Sequence, residues 1–264
     1  FVKALIREHV LALNKHRRIL NIDYYKLDRP KFEKWLAKDL NIRLSCKCND
    51  VIIEDDHALV ITADVTCKAK MVILAYGAYY NIQEKYGLLD KKPEQLICYG
   101  GIFSNCDVDP NKFIFYGEND VMGGFWIFPN SKHEANIGFG YFKGDVKKRC
   151  YEMMKRFPEL KNAKLIREYA GIVPCSGPIK KSYNDRMLVC GNAAGHVYAG
   201  SGEGISYALI GGKIAGEVAS KHINDPSEKN LKEYENLWKK KFGSSLKHEL
   251  IARNFLDKLD SNEK

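Results

Sequence analysis

The sequence lacks the patterns that assign many chains to a class at once. No run of about 20 apolar residues occurs in its 264 residues, so no transmembrane helix is predicted. No secretory-signal pattern, internal repeat or low-complexity linker is recognised in these residues either, so none is expected. Eight cysteines are scattered without a CxxC pair, which excludes zinc-finger and thioredoxin-like spacings. We therefore expect reduced thiols, no metal site and a cytoplasmic protein.

The charge is unbalanced, with a net value of +9. Most of the excess lies in the first fifty residues, where twelve Lys and Arg face six acids. No basic helix or interleaving of basic and aromatic residues stands out, so no nucleic-acid partner is expected. A solvated surface is one interpretation. An anionic partner, such as a phosphate-bearing lipid or an acidic membrane surface, is the other, and it leaves peripheral membrane contact open.

The most informative stretch is the glycine-rich segment over residues 187–208. A short apolar strand, residues 187–190, leads into closely spaced glycines and then into a helical pattern over residues 205–222. Small residues let a backbone approach a flat ligand or a phosphate, because no Cβ intervenes. The helix start points free N–H groups and the positive end of its dipole at the glycines. The alternatives are an anion or flat-ligand site and simple tight packing.

Residues 191–205, GNAAGHVYAGSGEGI, resemble the second flavin-binding motif of FAD-dependent reductases and hydroxylases of the glutathione-reductase type. The likeness is greatest to the geranylgeranyl reductase family, whose motif reads GDAAGxVxPxxGEGI. Asn192 replaces the usual Asp, and Ala199 replaces the usual Pro. The resemblance extends over about residues 27–219.

Three further segments carry the same resemblance. Residues 28–32 match DRxxF, and residues 75–77 match A-D-G with Tyr76 in place of Asp. Residues 124–140 match YxWxFP followed by GxG, with Gly124 in place of Tyr. That last segment has two compatible interpretations. It could form a pair of strands whose aromatic face lies in the core, and it could form a wall for a long hydrocarbon.

The resemblance implies a mixed α/β (α+β) fold, the FAD/NAD(P)-binding flavoprotein fold, with an antiparallel-sheet substrate domain. The sequence has no GxGxxG after a strand, so the N-terminal βαβ unit is expected to be lacking. Three explanations are open: the unit lies outside this sequence, another chain supplies it, or the chain no longer holds FAD. The predicted divisions are 1–26, a substrate-domain hairpin; 27–85, the middle of the FAD-binding domain; 86–175, the substrate domain; 176–222, the second flavin motif; and 223–264, C-terminal helices.

The implied cofactor is FAD, and the implied sites are a flavin site and a substrate pocket. The residues expected to bind the cofactor are Arg29, Cys48, Gly77, Pro174, Gly191, Asn192, Ala193, Ala194, Gly195, Gly202, Glu203, Gly204 and Ile205. Those expected to line the pocket are Trp126, Phe128, Pro129, Gly138 and Gly140. No catalytic residue is assigned. His196 and Tyr198 are candidates beside the ring, although ordinary loop residues are the simpler interpretation.

The implied activity is FAD-dependent hydrogenation of C=C bonds in an isoprenoid lipid. The electron donor, reduced ferredoxin or NAD(P)H, is left open. Two alternatives remain: a flavin monooxygenase or halogenase of the same fold, and a non-catalytic descendant of such an enzyme.

The local patterns also predict individual elements. Residues 2–27 predict a hairpin, although 2–13 also suit a helix, and residues 145–156 predict an amphipathic helix with Val146, Cys150, Met153 and Met154 inward. Residues 41–48 and 68–75 are each predicted to form one strand, which would place Cys46 and Cys48 on one face. In the family a strand such as 41–48 passes the adenine.

Overall fold

The computed structural model describes residues 2–13, 16–117 and 123–261. The chain forms two compact units. The first, here called the sheet unit, comprises Phe1–Ile42, Leu96–Ile172 and Leu256–Lys264. The second, the motif unit, comprises Arg43–Gln95 and Val173–Phe255. Within the described residues, no helix is both long enough and apolar enough to cross a bilayer.

The elements are numbered in chain order. The strands are β1 (Val2–Leu13), β2 (His16–Leu27), β3 (Cys48–Ile53), β4 (Ala58–Thr62), β5 (Thr66–Ala69), β6 (Val72–Leu74), β7 (Gln95–Ser104), β8 (Lys112–Gly117), β9 (Gly123–Ser131), β10 (Glu134–Tyr141), β11 (Lys164–Pro174), β12 (Tyr183–Asn184) and β13 (Met187–Val189). The helices are α1 (Arg29–Leu36), α2 (Asn81–Lys85), α3 (Val146–Met154), α4 (Ile205–Lys221), α5 (Glu228–Trp238) and α6 (Ser244–Ser261). A π-helical segment, Lys239–Gly243, joins α5 to α6.

The sheet unit is built on a seven-stranded sheet with the order β11-β7-β10-β9-β8-β1-β2. Strands β1 and β2 form the predicted antiparallel hairpin, and β1 pairs in parallel with β8. Strand β10 pairs antiparallel with β7 and with β9, and β9 pairs antiparallel with β8. Successive side chains of a strand point to opposite faces, so the sheet has two faces of different character.

One face packs against α3 and forms the core of the sheet unit. The buried sheet residues in this cluster include Tyr99, Phe103, Phe125, Ile127, Ile137 and Phe139. Helix α3 begins after Asp145, whose carboxylate accepts a hydrogen bond of 2.9 Å from the Lys148 N–H and so caps the helix. All four residues predicted to face inward on this helix are buried, which confirms that prediction.

The motif unit contains two small sheets. One has the order β12-β13-β6, in which β13 is parallel to β6, and the other is the antiparallel sheet β3-β4-β5. Strand β13 is completely buried, as its apolar sequence predicts. Helix α5 is tied to it, because the Tyr234 hydroxyl donates a hydrogen bond of 2.9 Å to the Val189 carbonyl. The predicted strand at 187–190 and the helix beginning at Ile205 are confirmed.

Two strand predictions are wrong. Residues 41–47 form no strand, and Ser45 adopts a left-handed φ of 56°, which ends extended structure there. Strand β3 begins only at Cys48, so Cys46 and Cys48 do not share a strand face. The segment 68–75 contributes to two strands instead of one. Strand β5 pairs antiparallel with β4, whereas β6 pairs in parallel with β13, so the chain must leave one sheet for the other between them.

The compact units divide the chain differently from the sequence-based domains. Residues 27–42 belong to the sheet unit, whereas the sequence placed them in the FAD-binding domain. The later boundaries fall at 95/96 and 172/173, compared with 85/86 and 175/176 from the sequence. The different assignment of residues 27–42 concerns helix α1, because a helical sequence pattern by itself does not indicate to which compact unit the helix belongs.

Candidate functional site

The glycine-rich loop begins where β13 ends, and left-handed glycines shape it. Residues 191–194 form a 3₁₀ turn that Gly195 closes with a φ of 67°. A side chain at position 195 would bring its Cβ to 3.0 Å from the carbonyl carbon of Gly177 and from the Cα of Pro178. Position 195 therefore needs glycine both for its backbone angle and for its packing.

Helix α4 starts directly after this loop with an uncapped end. Gly204 is the N-cap residue, no described side chain caps the helix, and its first turn holds no acidic residue. The Glu203 carboxylate lies just before the helix and accepts a hydrogen bond of 2.8 Å from the Ser206 hydroxyl. The free amides and the positive end of the helix dipole make this start suited to an electron-rich group.

A second turn lies beside the loop because β6 and β13 run parallel. Leu74 pairs with Val189 at the carboxyl ends of the two strands, and the Cys190 N–H donates a hydrogen bond of 3.0 Å to the Leu74 carbonyl. Ligands of parallel sheets bind at such ends. Gly77, in the turn after β6, has a φ of 83°, and no described atom lies within 4 Å of the place where a Cβ would be. Its backbone is therefore open to a ligand.

Side chains at and just before helix α2 hold the carbonyl groups of the loop. The Gln83 side chain is completely buried, and its amide nitrogen donates a hydrogen bond of 2.9 Å to the Ala193 carbonyl. Its amide oxygen accepts a hydrogen bond from the Tyr76 hydroxyl. Burial raises the pKa of Tyr76 to about 12, so the hydroxyl keeps its proton and remains a donor. The Tyr80 hydroxyl donates a hydrogen bond of 3.0 Å to the Asn192 carbonyl.

His196 lies inside the loop and is completely buried. Its ring centroid is 4.5 Å from that of Trp238 and 5.1 Å from that of Phe242. Neither ring nitrogen has a hydrogen-bond partner among the described residues. Burial lowers the pKa of His196 to about 3, so the imidazole is neutral near pH 7. In this arrangement His196 is a packing group that ties the loop to the helices, and its side chain does not reach solvent.

The structure brings most of the predicted cofactor residues into the motif unit: Cys48, Gly77, Pro174, Gly191, Asn192, Ala193, Ala194, Gly195, Gly202, Glu203, Gly204 and Ile205. Pro174 is buried, and a Cβ at Gly202 would lie 3.6 Å from its neighbour Val173. Cys48 is exposed at the start of β3, where its thiol donates to the Asp50 carbonyl at 3.4 Å. Their roles towards a cofactor remain predictions.

Arg29 lies in the other compact unit. It is the first residue of α1, and its exposed guanidinium donates a hydrogen bond of 2.8 Å to the Glu33 carboxylate. An exposed pair of this kind contributes little to stability, so Arg29 can exchange this partner for another anion at small cost. Its predicted role in binding the cofactor likewise stays a prediction.

The second face of the seven-stranded sheet carries aromatic rings, and we call it the aromatic face. It is defined by Phe113, Phe115, Trp126, Phe128 and Tyr169. The ring centroids of Phe113 and Phe128 lie 4.6 Å apart, and those of Trp126 and Phe128 lie 6.3 Å apart. These side chains are partly exposed, except Tyr169, which is exposed.

A single amide orients two of these rings. The Asn136 side-chain oxygen accepts a hydrogen bond of 2.9 Å from the Trp126 indole N–H and another from the Tyr169 hydroxyl. The ring of Trp126 lies across Gly138, where an added Cβ would be 2.6 Å from its Cε2. Gly138 is therefore needed for the indole to lie flat on the sheet. Gly140 is packed in a similar way, with its Cβ position 2.9 Å from Leu96.

Comparisons with known proteins agree on one family. Residues 94–173 match the geranylgeranyl reductase catalytic domain. The chain is 38% identical over its whole length to a digeranylgeranylglycerophospholipid reductase from Methanocaldococcus jannaschii, of which it covers 73%. It is 32% identical over its whole length to the protein of the same name from Methanococcus vannielii, again covering 73%.

Solved structures show the same fold. A geranylgeranyl bacteriochlorophyll reductase-like protein from Thermoplasma acidophilum superposes with a TM-score of 0.86 at 24% identity, covering 99% of this chain and 75% of that one. A variant of the halogenase PltM in complex with FAD superposes with a TM-score of 0.69 at 12% identity, covering 89% of this chain and 57% of the halogenase. At these identities the likeness concerns the fold alone.

The match to the geranylgeranyl reductase catalytic domain and the reductase relatives define the class first: this is a flavoprotein oxidoreductase that uses FAD. Within that class, the whole-length identity decides the family. The chain belongs to the geranylgeranyl reductase family, which includes the digeranylgeranylglycerophospholipid reductases.

The residues of the loop fit this cofactor. Backbone at Gly77 is open, the start of α4 lacks a side-chain cap, and the Asn192 side-chain amide makes no hydrogen bond with any described residue. An uncommitted amide beside free helix N–H groups suits the hydroxyls and carbonyls of a flavin. Polar groups left unpaired in this way are normally satisfied by water or a ligand.

Sequence reasoning missed three residues that shape the loop. Gln83, Tyr80 and Trp238 lie outside every motif, and their contacts with the loop span 42 to 112 positions of sequence. The segment Asn81–Lys85 is polar apart from Ile82, so its sequence gives no signal that Gln83 is buried or that it binds a loop carbonyl.

Replacement of Gln83 by Met should loosen the loop. The substitution keeps the volume but leaves the Ala193 carbonyl and the Tyr76 hydroxyl without their partner, which costs about 2–3 kcal/mol. We expect the free energy of unfolding to fall by that amount in urea titrations, and FAD affinity to fall with it. The control is Glu84→Met on the same helix, at an exposed position. Equal stability of the two variants would contradict the role of Gln83.

The buried His196 predicts a sensitivity to acid. The unfolded chain takes up a proton near pH 6.5, whereas the folded imidazole stays neutral until about pH 3. Unfolding therefore takes up a proton in this window, and stability present above about pH 6.5 is lost as the pH falls.

Between about pH 7 and about pH 5, we expect the wild type to lose about 2 kcal/mol more unfolding free energy than His196→Phe. Urea titrations at the two pH values measure the difference, with His248→Phe on the exposed surface as the control. Identical losses in the wild type and in His196→Phe would show that the imidazole does not titrate as its burial requires.

Proposed function

We propose that this protein hydrogenates C=C bonds in the isoprenoid chains of a digeranylgeranylglycerophospholipid, an archaeal-type membrane lipid. The observation that carries the proposal is the 38% identity over the whole chain to a reductase of that name. Two structural features support it. A loop suited to a flavin and a broad aromatic sheet face occur in the same chain, and this reaction needs both a redox cofactor and an apolar surface for the substrate.

When bound, FAD supplies the hydride that saturates the double bond. In the proposal, Asn192 hydrogen-bonds the ribityl chain, and the start of α4 stabilises negative charge near Gly204 and Ile205. Gly77 and Gly191 permit a close approach of the cofactor to the backbone. Arg29 pairs its planar guanidinium with cofactor oxygens. In the proposal, Cys48 contacts the cofactor through its backbone, and Pro174 forms part of the wall of the cofactor site.

The aromatic face has a different task in the proposal. Trp126 and Phe128 bury an isoprenoid chain at no polar cost, and Pro129 borders Phe128 at the end of this stretch. Gly138 and Gly140 keep the surface flat enough for a long chain to lie along it. Covering the alkene in this way also excludes water from the reaction. No residue of this face carries a proton to the substrate in the proposal.

The substrate and the charge of the chain also bear on its partners. An isoprenoid phospholipid resides in a membrane, and the basic N-terminal region suits an anionic surface, so the proposal includes peripheral membrane contact. The electron donor in the proposal is reduced ferredoxin or NAD(P)H, and a comparison of the two donors under anaerobic conditions distinguishes them.

The activity is tested by incubating the FAD-loaded protein with a reductant and a digeranylgeranylglycerophospholipid, followed by mass spectrometry of the lipid. Reduction adds about 2 mass units per double bond, whereas monooxygenation adds about 16. A gain of about 16, or no change, would contradict the proposal. Gly204→Val is the comparison expected to have low activity, because its Cβ would lie 3.2 Å from the Asn192 side-chain oxygen and from Val197, so the loop would have to shift. A purified protein without flavin absorbance would favour the non-catalytic alternative.

Asn192→Asp tests the proposed contact with the cofactor. A carboxylate forms a charge-assisted hydrogen bond with a ribityl hydroxyl, which is stronger than the neutral bond of the amide. We expect the dissociation constant of FAD to fall by about 5-fold, equivalent to about 1 kcal/mol. Flavin fluorescence titration measures it, and Asn236→Asp on helix α5 is the control. Unchanged affinity would place Asn192 away from the cofactor.

A further inference from the structure

Three glycines of the sheet unit each lie beneath an aromatic ring from a neighbouring strand. Gly138 lies beneath Trp126, as described above. At Gly100 a Cβ would be 3.0 Å from the Tyr169 hydroxyl and 3.1 Å from its Cε2. At Gly124 a Cβ would be 2.7 Å from Cε1 of Phe115. The three pairs lie on the same sheet face, so three of the five rings of the aromatic face lie over glycines.

The pair of Phe115 and Gly124 differs from the others in one respect. In the family signature, position 124 carries the tyrosine of YxWxFP, and this chain has glycine there. Phe115 stands opposite Trp126 in the register between β8 and β9, so it comes from the neighbouring strand on the same face. Its ring fills the volume in which a side chain at position 124 would begin.

Position 124 therefore has no room for a side chain while the Phe115 ring lies there. A Cβ at position 124 would also lie 3.0 Å from the Tyr116 carbonyl oxygen, a contact that a shift of a few tenths of an ångström relieves, so the Phe115 ring is the main obstacle. With the Phe115 ring in this position, a side chain at position 124 would occupy the same volume. One aromatic ring can stand at this point of the face, and here it comes from β8.

We propose that Phe115 is a specificity-determining residue of the isoprenoid site, because its ring supplies the aromatic wall for which Gly124 has no side chain. This inference rests on the proposed function. A phenyl ring carries no hydroxyl, so this point of the wall is apolar throughout, and it favours a saturated or unsaturated hydrocarbon over a polar group. Phe115 contacts substrate in the proposal and transfers no proton.

The first test compares variants of β8 in the FAD-loaded protein. We expect Phe115→Ala to raise the KM for the digeranylgeranyl lipid, and the Kd of its saturated phytanyl analogue, by about 10-fold, since most of a ring contact is lost. Phe115→Leu should raise both by about 3-fold. We expect kcat to stay within about 2-fold, because the contact binds the ground state and the transition state equally.

Tyr116→Leu is the matched control. It is the next residue of the same strand, it points to the opposite face, and its ring packs against Phe157 at 6.2 Å between centroids. Its substitution costs packing but should leave KM and Kd within about 2-fold of the wild type. If Phe115→Ala changes KM and Kd no more than Tyr116→Leu does, or if it lowers kcat alone, the proposal is overturned.

The second test exchanges the ring between strands. Gly124→Tyr alone should lose stability or fail to fold, because its Cβ meets the Phe115 ring. The double variant Phe115→Gly with Gly124→Tyr should fold and return the KM to within about 3-fold of the wild type. A folded Gly124→Tyr variant with wild-type KM, or a folded double variant with the KM of Phe115→Ala, would overturn the proposal.

The two proposals fail separately. If the wild type binds the phytanyl lipid, and Phe115→Ala weakens that binding, but no double bond is reduced, then the proposed reaction is wrong and the assignment of Phe115 stands. If double bonds are reduced and Phe115→Ala matches the wild type in KM and Kd, the reaction stands and the assignment of Phe115 is wrong. If neither lipid binds, both are wrong.

Discussion

The parallel pairing of two very short strands is the interaction on which the motif unit depends. Strands β6 and β13 have three residues each, and their pairing places the turn at Gly77 beside the loop that begins at Gly191. In the proposed function, these two turns contact the flavin together. The carboxyl ends of parallel strands bring two such turns to one edge, where free N–H groups also converge.

In the sheet unit, the feature on which the proposed function depends is the aromatic face of the seven-stranded sheet. In the proposed function, one face of this sheet receives a long hydrocarbon and has to be apolar, broad and flat, whereas the side chains of a strand usually stand roughly perpendicular to the sheet. Glycines on the neighbouring strand allow the rings of Trp126, Phe115 and Tyr169 to lie down. The Asn136 amide then orients two of them with hydrogen bonds. The face is flat because the strands have glycine, which has no side chain, at the positions beneath these rings.

Two departures from the family pattern have structural explanations. Tyr76, in place of an acid, donates to Gln83 and through it supports the Ala193 carbonyl. Gly124, in place of a tyrosine, leaves room for the Phe115 ring. In each case another side chain, Gln83 or Phe115, contacts or fills the place that the change leaves. The structure offers no comparable compensation for Asn192, whose side chain makes no hydrogen bond with any described residue.

The sequence by itself determined the elements whose signals are local. Asp145 and the spacing of Val146, Cys150 and Met153 specify α3, and the glycines with the helical pattern after them specify the loop and α4. It did not determine where 68–75 would break or that 41–47 would stay irregular, because strand limits depend on the partner strand. Only the tertiary structure decided that Gln83 supports the loop and that Phe115 covers Gly124. Gln83 and Ala193 lie 110 positions apart, and Phe115 meets Gly124 only because β8 pairs with β9, so no local pattern encodes which groups packing will bring together.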